Sequence, residues 1–376
     1  MQRREFLASV TIVPALLTLP QEDDEAGFVR LFDGTSLDGW SVTDGPESAF
    51  YVDERAIVVH QGAGFPTWLR SAREYENFDF RGEFFVQGWT NSGIYLHAPE
   101  HGSNIRCGMK INIFQQTDAK PAPESMGSVF PLVAPLKVNV KNKGEWNTFR
   151  ILMDWPRLQV WTNGEMVQDL DVETVPELRH RLRSGYLGLE SLSYPIRFRE
   201  LRVRELPSKV SWTPLYESAQ DFAKWHVMSG KPTFQALGGV LHADGDGMLG
   251  TNDTFRDFEL QMYVRHVQHH NSGVTFGSPG KGLGRRYEIQ LHDVEGAHYP
   301  TGSLYGLKHA RYPRIEPERW WLFQLRVQDR TCLVRVNGDT VLEYDGLELP
   351  AAGPIGLQAH NPGRWTQFKH IRVRRL

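Results

Sequence analysis

Apolar and polar residues alternate along most of this chain. "FDFRGEFFV" (78–86), "FRILMDW" (149–155), "FELQMYVRHV" (258–267) and "FQLRVQD" (323–329) each repeat at period two. That period predicts β-strands with one face buried, because successive side chains leave a strand on opposite sides. Helical periodicity is nearly absent; "TVPELRHRLRS" (174–184) is the one stretch that could hold a turn or a short helix. "TNGE" (162–165) and "VNGD" (336–339) put Asn-Gly between two alternating runs. Such a dipeptide predicts a two-residue hairpin, since a type I′ turn needs positive φ at both central positions. Many short strands with regularly spaced turn signals predict an all-β sandwich.

The pattern occurs twice. "NSGIYLHAP" opens at Asn91 and "NSGVTFGSP" at Asn271. "VRLFDGTSLDGW" (29–40) matches "TPLYESAQDFAKW" (213–225), so Trp40 corresponds to Trp225. "GMKINIFQQTD" matches "RRYEIQLHDVE", and the hairpin blocks and the closing "IRVRRL" follow in the same order. A duplicated unit of about 170 residues is the natural reading. The seam falls near "ELPSKVSW", which divides the chain into an N-terminal segment (1–26), one sandwich (27–207) and a second (208–376).

Composition narrows the function. A formal net charge of −3 gives no electrostatic basis for binding nucleic acid. The 11 Trp, 12 Tyr and 20 Phe suit a β-rich core, and they also suit sugar binding, where rings stack on sugar faces. The N-terminus, "MQRREFLASVTIVPALLTLP", resembles a twin-arginine export signal, with paired arginines ahead of an apolar run too short to span a membrane comfortably. It predicts a periplasmic or extracellular protein with no membrane span once the signal is removed; the other reading is an uncleaved anchor. Cys107 and Cys332 show no metal or redox spacing and are read as buried small side chains.

Several motifs together resemble one family, the 3-keto-disaccharide hydrolase domain, formerly a domain of unknown function. The opening hallmark is clearest in the first copy: Leu31-Phe32, Gly34 and Leu37-Asp38-Gly39-Trp40. Later hallmarks are clearest in the second: Asn271-Ser272-Gly273, Tyr287-Glu288, Gln290, Asp293, Thr301-Gly302, Tyr305, Ile355-Gly356-Leu357-Gln358 and His360. The resemblance implies two tandem concanavalin/laminin-G-like jelly rolls, a carbohydrate partner, and cleavage of glycosides oxidised at C3. The chain departs from the family where an arginine usually follows the NSG asparagine by six residues. Gly277 and His97 stand there, and Trp321 replaces the asparagine that the first copy keeps as Asn147.

The second copy carries the candidate chemistry. In "RRYEIQLHD", strand parity puts Arg286, Glu288, Gln290 and His292 on one face, with Tyr287, Ile289 and Leu291 on the other. Gln358 and His360 form a second polar row, Asn271 opens the NSG strand, and the loop "YPTGSLYG" brings Tyr305. On a solvated outer face these rows would be ordinary surface; on a concave face they would line a sugar site. A C3 ketone acidifies the C2 proton, so His292 or His360 serves as the candidate base, with Glu288 orienting it. Asn271, Gln290, Tyr305 and Gln358 are the candidate substrate contacts. No cofactor is fixed by the sequence; a divalent metal ion on Glu288 and His292 is an option the chemistry leaves open. His266, His269 and His270 cluster upstream, and histidines on the surface beside a turn are the commoner explanation for such a cluster. In the first copy Lys110, Asn112 and Phe114 replace Glu288, Gln290 and His292, Glu190 replaces Gln358, and Phe130 replaces Tyr305. That copy is therefore expected to keep the scaffold and lose the proton-transfer groups. The competing classes are a non-catalytic carbohydrate-binding protein and a pair of structural spacers. An ordinary glycosidase needs two opposed carboxylates, and Glu288 and Asp293 fall on opposite strand faces.

Overall fold

The structure, a computed structural model, describes residues 25–62, 67–116, 120–277, 286–294, 296–313, 315–348 and 351–376. The export-signal reading falls on residues 1–24, outside the described residues. The chain is almost entirely β and forms two sandwiches in tandem.

In the first sandwich, one sheet runs Glu165–Asp171, Arg157–Thr162, Trp146–Asp154, Phe78–Val86, Ile196–Glu205, Ala56–Val59, Phe50–Asp53, with Val29–Arg30 added on Ile196–Glu205. The other runs Trp40–Thr43, Thr67–Tyr75, Gly185–Ser191, Asn91–Ala98, Met109–Phe114. The alternation explains the packing. Phe78, Phe80 and Phe84 from the first sheet meet Ile94, Leu96, Ile111 and Leu189 from the second, all essentially excluded from water.

The second sandwich repeats the plan with one change. The Trp225–Leu237/Val240–Thr251 hairpin is long enough to belong to both layers. Val240–Ala243 pairs with Thr366–Lys369 in one layer, and Gly247–Gly250 pairs with Gly356–Ala359 in the other. All the strands therefore form one continuous sheet folded over a core of Phe258, Leu260, Phe323, Phe368, Val274, Ile289 and Leu357.

The duplication extends to single hydrogen bonds. The Trp40 indole donates to the Leu31 carbonyl at 2.6 Å, and the Trp225 indole donates to the Leu215 carbonyl at 3.0 Å. Asn163-Gly164 has φ of 52° and 80°, and Asn337-Gly338 has 48° and 84°, as type I′ turns require. The 174–184 stretch forms turns after a single 3-10 turn at Val172–Thr174. Cys107 and Cys332 are both buried and unbonded.

The two sandwiches are joined by a polar and partly apolar seam. The Arg372 guanidinium donates to Glu74 at 2.8 Å, the Lys369 ammonium to Glu100 at 3.0 Å, and Arg106 to Asp339 at 2.7 Å. The buried Arg335 reaches across to the carbonyls of Arg106 and His180 while also bonding that of Gly338. Cys107, Leu182, Tyr263 and Leu322 form a small apolar cluster between them.

Candidate functional site

The candidate site is built on four neighbouring strands of the second sandwich, in the order Tyr287–His292, Asn271–Phe276, Gly356–Ala359 and Val240–Thr251. In the first pair Asn271 is registered with His292, Gly273 with Gln290 and Thr275 with Glu288. Thr275 is also registered with Gly356, and Gln358 with Met248. Directly paired residues share a face, so Glu288, Gln290, His292, Asn271 and Gln358 all project from the same side. Their neighbours Val274, Ile289, Leu291 and Leu357 point into the core. His360, one step past the strand on the parity of Gln358, is exposed.

The loop after these strands runs alongside Tyr287–His292 like an extra strand. The Gln290 amide donates to the Ser303 carbonyl at 2.9 Å, the Gly302 amide to the Gln290 carbonyl at 2.8 Å and the Tyr305 amide to the Glu288 carbonyl at 2.9 Å. Leu304 bridges Ile289 and is buried. Tyr305 is thereby set beside Glu288, with its ring 43% exposed and 5.1 Å from that of Tyr299.

Glycine at 273 has a specific reason. A Cβ there would lie 2.2 Å from the Glu288 Oε1 and 2.9 Å from its carboxyl carbon, so the carboxylate lies across the bare backbone of Gly273. The Gln290 side-chain Nε2 donates to Asn271 Oδ1 at 2.5 Å, which fixes both side chains. The Gln358 Oε1 is buried without a hydrogen-bond partner. Burial, seconded by the nearby His270, lowers the His292 imidazole below its usual range against the pull of Asp293. It is therefore a neutral base at pH 7.

The first copy has the same backbone pairing, with its polar groups on the same face. The Phe130 amide donates to the Lys110 carbonyl at 2.9 Å, matching Tyr305 and Glu288. Ser92 donates to the Glu190 carbonyl at 2.8 Å and Ser272 to that of Gln358 at 2.7 Å. Here, however, the Lys110 ammonium forms a buried ion pair with Glu190 and lies 4.6 Å from the Phe130 ring centroid. Tyr95 donates to the other Glu190 oxygen at 2.5 Å. The ion pair and Tyr95 close on one another, while Asn91 Oδ1 and Asn112 Oδ1 on the same face stay unpartnered.

Two expectations from the sequence need correction. His266 and His270 are not surface histidines beside a turn: both side chains are 0% exposed. The connection from Phe258–His266 to Asn271–Phe276 crosses between the two layers at one end of the sandwich, and this carries both rings inward. Second, among the described residues the group whose ligand atoms converge is His266, His270 and Asp293, not Glu288 and His292. The two rings stack with centroids 3.7 Å apart. Their Nδ1 atoms lie 3.7 Å (His266) and 3.3 Å (His270) from the Asp293 carboxylate. Burial lowers the His266 imidazole to about 4 and lowers that of His270, so both are neutral near pH 7. Burial alone would raise Asp293, but His270, His266 and the His269 amide together hold it below its usual value. The signals in the sequence were the i, i+4 spacing of two histidines and the aspartate following His292. Neither shows burial.

The tandem all-β architecture, with a polar strand face of amide, carboxylate and imidazole groups on its second copy, defines a two-domain β-sandwich protein. The chain matches the 3-keto-alpha-glucoside-1,2-lyase-like domain over residues 27–204 and again over 211–374, and it belongs to that family. No curated protein matches it significantly. Among solved structures, a candidate glycosyl hydrolase from Parabacteroides distasonis is 19% identical with a TM-score of 0.44, covering 50% of this chain and 98% of its own. A carbohydrate-binding module from Bacillus subtilis is 13% identical with a TM-score of 0.32, covering 40% and 95% respectively. A Bacillus subtilis protein with a galectin-like fold is 15% identical with a TM-score of 0.34, covering 44% and 94%.

Proposed function

We propose that the second sandwich cleaves 3-keto-glycosides and that the first serves as its scaffold. The observation that carries this reading is the shared face of Glu288, Gln290, His292, Asn271 and Gln358, in contrast to the closed Lys110–Glu190 network at the same place in the first copy. Family membership supplies the glycoside context.

In this reading the neutral His292 takes the C2 proton, and the C–H electrons pass into an enolate on the C3 oxygen. When the enolate collapses, a C1–C2 double bond forms, the C1–O bond breaks and the aglycone leaves with a proton. Water then adds across C1–C2 to give the 3-keto sugar. Asn271 and Gln290, locked to each other, and Gln358, with its free acceptor, hold sugar hydroxyls; Glu288 and Tyr305 flank the reacting ring. His360 is the alternative base at the rim. Export through the twin-arginine route would place this activity outside the cytoplasm.

The test is release of the aglycone from a 3-keto-glycoside by the wild type and by His292→Ala, His360→Ala and Glu288→Gln. Loss of at least 100-fold in one of the histidine variants, as expected for a general base, supports the reading. Wild-type rates in both histidine variants, or saturable sugar binding by the wild type with no product, would overturn it.

A further inference from the structure

The second sandwich contains a set of buried polar atoms that the proposed reaction does not use. His266 Nε2 and His270 Nε2 are enclosed without a hydrogen-bond partner, and His270 Nδ1 and Asp293 Oδ1, 3.3 Å apart, have no partner but each other. Two further orphans lie beside them. Thr366, whose hydroxyl is buried and unpartnered, is registered directly opposite His266, and the Trp321 ring, whose indole nitrogen is also unpartnered, packs edge-on against His266 at 6.3 Å. Buried polar groups are nearly always satisfied, so this many in one place points to an occupant.

We propose that His266, His270 and Asp293 form a binding site for a first-row divalent cation of the zinc type. Two imidazoles and one carboxylate match the donor preference of such ions, whereas calcium and magnesium favour all-oxygen sets. The spacing fits as well. Around a tetrahedral ion with bonds of about 2.0–2.1 Å, ligand atoms are about 3.3 Å apart. His270 Nδ1 lies 3.3 Å from Asp293 Oδ1, and one ligand atom from each of the three residues lies within 4.8 Å of the others; His266 Nδ1 is engaged with the Val267 carbonyl at 3.1 Å, which leaves Nε2 as its ligand atom. Bringing these atoms to about 3.3 Å around one ion requires the imidazoles to tilt out of their parallel stack. The protonation state is already suitable, since ligating imidazoles must be neutral and the carboxylate ionised.

The position gives the ion a structural consequence. His270 precedes Asn271, and Asp293 follows His292, the register-paired residues at one end of the candidate sugar face. An ion between them ties two adjacent strands together at that end and joins them through His266 to the opposite layer. Three protein ligands leave a fourth position for water. The site stands independently of any reaction on the sugar face, because metal content can be measured without turnover.

The test uses tag-free protein stripped with a chelator and titrated with CoCl₂ and ZnCl₂. The expected result is one equivalent bound per chain, with the visible d–d absorption of a low-symmetry four- or five-coordinate cobalt site and a rise in melting temperature on adding zinc. His270→Gln and Asp293→Asn, both close in shape to the residues they replace, should weaken binding at least tenfold and abolish the zinc-induced rise while keeping the wild-type circular dichroism. The site is disproved if the stripped wild type, still folded, takes up no cobalt. It is equally disproved if the folded variants keep the full cobalt spectrum and stoichiometry, which would assign the ion to other residues. If a variant fails to fold, the wild-type cobalt stoichiometry and spectrum decide.

Discussion

Gly93 and Gly273 occupy equivalent positions, and alanine at each should have opposite consequences. Neither takes a positive φ, so the backbone accepts alanine, and replacing glycine inside a strand by itself gains roughly 0.5–1 kcal/mol. What differs is the group lying over the glycine. In Gly273→Ala the new methyl would sit 2.2 Å from the Glu288 Oε1. Carbon needs about 3.5 Å, so the carboxylate must move by roughly 1.3 Å, and the side chain is half-buried, with room to do so. Stability should stay within about 1 kcal/mol of wild type, while a misplacement of this size costs about 100-fold in turnover. In Gly93→Ala the methyl would meet Lys110 at Cε (2.4 Å), Cγ (2.8 Å) and Cδ (2.9 Å). That stem is 3% exposed, fixed at its tip to Glu190 and covered by Phe130. Overpacking of this kind costs about 1–3 kcal/mol, or roughly 2–12 °C in a domain of this size.

The assay measures two quantities for each variant: the melting temperature by calorimetry and the initial rate of aglycone release from a 3-keto-glycoside. Gly273→Ala should lower the rate and spare the melting temperature; Gly93→Ala should do the reverse. Wild-type turnover in Gly273→Ala would mean that the position of Glu288 does not matter to the chemistry. Equal loss of rate in both variants would mean that the first copy participates in turnover, which would refute its role as a closed scaffold.

The seam between sandwiches and the buried thiols give further expectations. Hydrogen bonds to Glu100 and then Glu217 raise the His370 imidazole to about 9 against the effect of burial. Its stabilising contribution is therefore full below its ordinary value of 6.5 and fades as pH rises through about 9. The melting temperature of wild type minus that of His370→Gln should shrink between pH 6.5 and 9.5, by a modest amount because the side chain is 48% exposed; a difference that is flat across this range contradicts the assignment. Arg335→Met leaves the Arg106 and His180 carbonyls without their cross-seam donor and should cost roughly 3 kcal/mol, seen in calorimetry as earlier and less cooperative unfolding. Burial raises the Cys107 thiol to about 11 and that of Cys332 to about 12. Neither should react with a disulfide reagent at pH 8 in the native state, and both should react once guanidinium unfolds the chain.

Some of this was legible in the sequence because the determining physics is local. Side-chain parity in "RRYEIQLHD" puts Glu288, Gln290 and His292 on one face whatever the strand pairs with, and Asn-Gly dictates its own turn. The buried His266–His270–Asp293 group was not legible. It depends on a connection crossing between layers, and a histidine near a turn has the same local pattern whether the turn faces water or caps a core. The fusion of strands into the long 225–251 hairpin was also hidden, since its outer half alternates weakly and carries several glycines. The seam could not be read at all. Arg335 looks like any strand arginine until the docked neighbour supplies the carbonyls it caps.

The two copies also constrain how their polar faces can change. The second sets a carboxylate at 288 and an amide at 358 on one face; the first pairs an ammonium at 110 with a carboxylate at 190. Lysine alone opposite glutamine would bury an unpaired ammonium, and glutamate at both places would bury two carboxylates together. Either single change is costly in a site as enclosed as that of the first copy, where Lys110 and Glu190 are 3% and 7% exposed. The ion pair is therefore one unit, completed by Tyr95 on the carboxylate and by the face of Phe130 over the ammonium. Such a unit is incompatible with binding a saccharide there, because a sugar hydroxyl would have to displace a charge-assisted contact to gain a neutral one. Unpartnered oxygens remain on both faces, Gln358 Oε1 in the second copy and Asn91 Oδ1 and Asn112 Oδ1 in the first, so what separates the copies is the ion pair and not the count of unused acceptors. The first sandwich closes the centre of its face with that ion pair and supplies Glu74, Glu100 and the Arg106 and His180 carbonyls to its neighbour. On the proposed reading, duplication separates two demands on one fold, with the ion-paired copy bracing the copy that keeps the carboxylate, amide and imidazole face.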